Sequence, residues 1–86
     1  MNMMQFPLNR LPEGRQAIVT GLLSHGTMRR RLMDIGLVEG TRVECLQKSP
    51  AGDPVAYFIR GAVIAIRSED SSQIMVSGLD APPETI

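Results

Sequence analysis

Residues able to attack, ionise or coordinate are few in this chain of 86 residues. His25 is its one histidine, so no Ser, Thr or Cys nucleophile has a credible base beside it. Cys45 is its one cysteine, which excludes an internal disulfide, and Cys45 with His25 cannot close a zinc site within one chain. His25 would reach a metal at the surface only with a carboxylate from a neighbouring molecule, and otherwise it is an exposed loop histidine beside Gly26. Cys45 falls at an inward strand position, where a free cysteine acts as a small hydrophobe. Glu69-Asp70 is an adjacent acidic pair, but its serine-rich surroundings make it a solvated turn. The six methionines suggest soft-metal ligation, yet three lie in the first four residues and Met28, Met33 and Met75 suit packing. Glycines 14, 21, 26, 36, 40, 52 and 61 never assemble a GxGxxG or P-loop spacing. The expectation is a protein that is not an enzyme and requires no cofactor, any divalent metal being weak and adventitious.

Two features carry more information. Arg29-Arg30-Arg31 falls at the start of a helical segment, where the macrodipole is positive and each exposed cation costs about 0.3–1 kcal/mol. Asp34 offsets Arg30 at i, i+4, in the less favourable order for such a pair. Such an arrangement marks a contact surface, or else a solvated face with one arginine lying over the core by its methylene stem. The second feature is Val55-Ala56-Tyr57-Phe58-Ile59 and Ala62-Val63-Ile64-Ala65-Ile66, apolar at both parities. A strand with one wet face alternates, so the outer faces here need a cover: the helix, the N-terminal segment, or a protein partner. Nucleic acid would need basic residues interleaved with stacking aromatics. Phe6, Tyr57 and Phe58 are the only aromatics, and the last two alternate in parity.

The elements that hold these residues follow from periodicity. Leu11-Pro12-Glu13-Gly14 has the Pro and Gly positions of a type I turn, and Gln16 to Leu22 is a β-branched run read as a strand. Thr27 is the expected N-cap of a short helix with Met28, Leu32 and Ile35 on one face and Gly36 as its left-handed stop. Thr41 to Leu46 alternates with period two, and Ser49 to Pro54 is a loop. Val55–Ile59 and Ala62–Ile66 flank Arg60-Gly61, a two-residue hairpin connection. Ser68 to Ser72 is a polar turn and Gln73 to Val76 a last strand. Five close-spaced strands with one helix predict a mainly β fold: a small barrel, closed so that it has no sheet edges.

Length and composition bound the rest. The chain has room for one domain, which buries roughly 60–65% of its unfolded surface. An apolar fraction of 43% supports a core. Nine basic residues balance nine acidic ones, so a dedicated nucleic-acid or anionic-membrane binder is not the first reading. No apolar run approaches a membrane span, and the N-terminus lacks a signal-peptide pattern, which predicts a cytoplasmic location.

Four stretches together resemble a known family. Arg31-Leu32-Met33-Asp34-Ile35-Gly36-Leu37-Val38-Glu39-Gly40-Thr41-Arg42-Val43 is similar to the RL-x-x-LGL-x-x-G-x-x-V core of the FeoA family, the small cytosolic component of bacterial ferrous iron uptake. Pro50-Ala51-Gly52-Asp53-Pro54 resembles its P-x-GDP loop, Gly61 through Arg67 its G-x-x-x-ALR hairpin, and Ile74-Met75-Val76 its closing strand. The resemblance implies an SH3-like five-stranded barrel with one short helix between the first two strands, a domain also found in iron-dependent repressors. It implies a role beside FeoB, the membrane iron transporter with a cytoplasmic GTP-binding region. Family members are often described as transition-metal binders, for which this chain supplies no ligand set.

These readings yield definite expectations. Residues 1–9 and 79–86 are flexible ends, and 10–78 form the barrel. The protein is an accessory factor that binds FeoB and promotes its activity, peripheral to the inner membrane through that partner alone, and it binds no nucleic acid. A metal-sensing regulatory module is the alternative, and weak self-association stays open. The contact surface is expected at Arg29, Arg30, Pro50, Gly52, Asp53, Pro54, Tyr57 and Phe58. Leu32, Ile35, Gly36, Leu37, Gly40 and Gly61 are expected to be scaffold.

Overall fold

The computed structural model describes residues 4–79. In chain order these form β1 (Gln5–Pro7), a 3-10 turn (Leu8–Arg10), β2 (Gln16–Leu22), α1 (Gly26–Asp34), β3 (Arg42–Lys48), β4 (Val55–Ile59), β5 (Ala62–Ile66), the single turn α2 (Ser68–Ser71) and β6 (Ile74–Gly78). Six antiparallel strands make one sheet in the order β1-β6-β2-β3-β4-β5. The mainly β class, with one helix between β2 and β3, is as the sequence predicts. The sheet is longer by a strand, and it ends at β1 and β5 where a closed barrel would have no edges.

The sixth strand corrects, from Gln5 onward, the expectation that residues 1–9 lie loose; residues 1–3 lie outside the described residues. Gln5, Phe6 and Pro7 pair with Ser77, Val76 and Met75, and Leu8 is fully buried. The reason is a free edge: β6 pairs with β2 on one side, and the N-terminal segment takes the other. Three residues ending in proline are too short to show a period. The proline-rich stretch from 80 onward lies outside the described residues.

Strand parity builds the core. Ala17 and Val19, Val43 and Cys45, Val55, Tyr57 and Ile59, and Ile74 and Val76 alternate inward along their strands, as the pleat requires. Two β-bulges, at Val19/Gly21 and Cys45/Gln47, shift the register and bend β2 and β3. α1 lays Leu32 into this core, with Met28 and Ile35 packed at its margin.

The ends of α1 show one correction and one agreement. His25, extended at φ −127°, is the N-cap, so Thr27 lies inside the helix, and no side chain caps the start. At the other end Gly36, at φ +103°, donates to the Met33 carbonyl at 2.9 Å, and Leu37 donates to that of Leu32 at 3.0 Å. This crossed pair is the Schellman arrangement, and it drops Leu37 into the core beside Leu32.

Candidate functional site

Arg60 and Gly61 connect β4 to β5 with φ of +50° and +84°. Positive φ at both central residues is the type I′ geometry that matches strand twist. The register then pairs Tyr57 with Ile64 on the inner side, and Phe58 with Val63 and Ala56 with Ala65 on the outer side. α1 covers the inner side, with Met28 and Ile35 flanking the groove that holds Ile64 and Ile66. Among the described residues nothing covers the outer side: Phe58 is 43% exposed and Val63 65%. The sequence pattern pointed to this face without singling out Val63. A two-residue turn at Arg60-Gly61 would have named it as the partner of Phe58.

Polar residues frame the apolar face at both ends. Towards the turn, Phe58 borders an open groove of about 610 Å³ lined by Arg42, Glu44, Arg60 and Gly61. At the far end, Lys48 and Pro54 border a smaller groove that includes Ala56 and Ala65. The loop that carries Pro50, Gly52, Asp53 and Pro54 is tied down rather than free. Gly52, at φ +89°, donates to the Ser49 carbonyl at 2.8 Å, and Ser49 donates to that of Pro54 at 3.3 Å. The Asp53-Pro54 bond is cis. Asp53 Oδ1 accepts from the Ser68 amide at 2.8 Å and the Ser68 hydroxyl at 3.1 Å, placing a carboxylate at the start of α2.

Tyr57 corrects the expected contact set. It is 1% exposed, and its hydroxyl donates to the Leu8 carbonyl at 3.4 Å, so it belongs to the core. Burial pushes its phenol up to about 12. Burial also raises the Cys45 thiol, in agreement with its expected role as a small buried hydrophobe.

Arg29 and Arg30 are exposed on α1, and Arg29 Nη1 donates to the Leu22 carbonyl at 3.1 Å. They are not brought to the Phe58–Val63 patch, because α1 sits against the opposite parity of β5. His25 is exposed, and among the described residues no three His, Cys, Asp or Glu side chains converge on a metal position. Leu32, Gly36 and Leu37 are buried and Ile35 partly so, while Gly40 and Gly61 turn the chain at positive φ. No helix among the described residues is long and apolar enough to cross a membrane.

The FeoA domain family matches residues 6–78. A fusion of Fe(2+) transport protein A with the Fe(2+) transporter FeoB, from Porphyromonas gingivalis, is 33% identical over 69 residues, covering 80% of this chain but 8% of the fusion's length. The FeoA protein of Chlorobium tepidum is 33% identical with a TM-score of 0.83, covering 92% of this chain and 75% of that one. A zinc complex of Stenotrophomonas maltophilia FeoA, described as a procaryotic SH3 domain protein, is 25% identical with a TM-score of 0.74, covering 83% and 88%. A manganese-dependent transcriptional repressor, 19% identical with a TM-score of 0.80, shares the fold over 92% of this chain and 44% of its own.

Proposed function

Because the chain belongs to the FeoA domain family, whose setting is ferrous iron transport, we propose that it is a non-enzymatic accessory protein that binds FeoB and promotes iron uptake. The contact is with the cytoplasmic GTP-binding region of the transporter, which holds the protein at the inner membrane. A relative that carries both parts in one chain supports the association. The observation that carries the reading is the outer face of the β4–β5 hairpin. Phe58 and Val63 stand side by side on the outer face of this two-stranded hairpin, bare among the described residues. Apolar patches of this kind mark protein contacts, and the charged rim of Arg42, Glu44, Arg60 and Lys48 fits the polar border of an interface. Arg29 and Arg30, on another side of β5, fall outside this contact.

The test is co-purification with FeoB from detergent-solubilised membranes, read together with the transporter's GTP turnover. The native chain is expected to co-elute, and Phe58→Ser with Val63→Ser to abolish co-elution while the melting curve holds. Undiminished co-elution of that double variant would move the contact elsewhere. Failure of the native chain to associate in any nucleotide state would end the proposal.

A further inference from the structure

The sheet has two edges, and they are finished differently. β1 has only three residues and ends in Pro7, so it offers little to pair with. β5 runs from Ala62 to Ile66 and pairs with β4 without a bulge. It holds neither a proline nor a charged residue, the devices that commonly blunt an edge. The two-residue turn decides which of its backbone groups are engaged. Residues flanking such a turn exchange both hydrogen bonds, so Ala62 bonds to Ile59. The pattern repeats at alternate residues, and Ile64 and Ile66 bond to Tyr57 and Val55. Val63 and Ala65 therefore aim their N–H and C=O groups away from β4, out of the sheet. Among the described residues neither finds a hydrogen-bond partner on that side. α1 flanks β5 beside Ile64 and leaves Ala62, Val63 and Ala65 exposed.

Such an edge is completed by an extended strand, and β5 of a second copy matches it. That strand is already extended, so pairing it orders no loose segment. The hydrogen-bonding groups also match themselves in one register. A twofold axis through Ile64 sets Val63 of each copy opposite Ala65 of the other, and each of these pairs exchanges both bonds. An axis through Val63 or Ala65 would leave the other of the two opposite Arg67 or Gly61, outside β5. An axis between residues would set the free groups against groups already bonded to β4. Charge at the strand ends suits the same register. Arg60, which shares a groove with Asp34, comes to face the turn of the other copy, where Asp53, Glu69 and Asp70 outnumber Arg67. Residues opposite each other lie on one face of the sheet, so the two Phe58–Val63 patches join across the axis through Ala65.

We propose that two copies of this chain pair antiparallel through β5, about a twofold axis at Ile64, into one continuous sheet. The interface is isologous and closes at two copies. It uses the strand edge and not the outer face, so it does not rest on the transporter contact and leaves Phe58 open to it.

Sedimentation equilibrium of the purified full chain, over a roughly hundredfold range of concentration, tests it. The monomer is expected to pass to a species of twice its mass. Amide hydrogen exchange read by NMR then locates the interface. The Val63 and Ala65 amides are expected to exchange fast in the dilute monomer and to become protected in the dimer. Those of Ala62, Ile64 and Ile66 are expected to be protected in both. Val63→Pro removes one edge donor from each copy and no bond to β4, and is expected to weaken dimerisation about thirtyfold. Val63→Lys keeps the backbone and brings like charges near the axis, so it is expected to weaken dimerisation as well. Phe58→Ser is expected to leave the dimer intact while losing the transporter, which separates the two contacts. Far-ultraviolet circular dichroism confirms that each variant is folded. A monomer at every concentration, a dimer whose Val63 and Ala65 amides still exchange fast, or undiminished dimerisation in both Val63 variants would overturn the proposal. So would protection of those two amides only when the transporter's GTP-binding region is added, a result that assigns the edge to that partner.

Discussion

At the scale of single residues, Gly36 has the most demanding position. Its φ of +103° is a conformation that side chains rarely adopt, and a methyl group built there would run into the Cδ of Arg60. Gly36→Ala is expected to cost about 1–3 kcal/mol, mostly as backbone strain. In a domain this small that lowers Tm by roughly 4–8 °C for each kcal/mol, measurable by thermal denaturation. Arg60→Ala in the same chain should recover the part due to the collision and none of the part due to φ, so a double-mutant cycle separates the two. An unchanged Tm in Gly36→Ala would mean that the stop of α1 does not need this geometry. The glycine that ends the helix and the turn that joins β4 to β5 are 24 positions apart, yet they pack as one unit.

At the scale of elements, the anchoring of the N-terminal segment is the sharpest point of difference from the sequence. Leu8, directly after β1, is fully buried, and its carbonyl accepts the Tyr57 hydroxyl. Leu8→Ala is expected to destabilise by about 2–5 kcal/mol, the range for large-to-small changes in a packed core. A loose segment would give no change, so urea unfolding of this one variant decides the matter. Elements with a clear local signature were legible: β2, β4 and β5 take the bounds that residue type and turn chemistry imply, and Gly36 ends the helix. What was not legible depends on partners distant in sequence. β1 exists because β6 has an open side, and Tyr57 turns inward because its parity on β4 is the one that meets the core, where its hydroxyl reaches the carbonyl of Leu8, 49 positions away. The proposed contact surface was half legible for the same reason. Apolar residues at both parities announced two covered faces, but which was covered by α1 had to come from packing.

At the scale of the whole molecule, the buried ionisable groups tie global stability to alkaline pH, and the chain contains one tyrosine and one cysteine with which to follow it. Burial moves the Tyr57 phenol from 10.0 up to about 12, and the Cys45 thiol above 9.0. Both groups are neutral when protonated, so folding favours the protonated form in each case. The folded chain holds these protons at a pH where the unfolded chain has released them. Stability from these two groups is therefore complete below pH 9.0 and falls as pH rises, first from Cys45 and then from Tyr57 between 10.0 and about 12. Urea midpoints taken from pH 8 upward at unit intervals are expected to be level at first and then to decline steeply (about 1.4 kcal/mol for each unit of pH per group). Tyr57→Phe removes the phenol's share, and the decline above pH 10 should flatten in that variant. Phenolate absorbance gives an independent check: the folded chain should show none at pH 10.5 and acquire it on unfolding in urea at that pH. A native chain whose phenolate appears near pH 10, with a midpoint that stays level, would place Tyr57 in water and dissolve the core described around it. That core also carries the functional argument, because Tyr57 turned inward is what leaves Phe58 turned out.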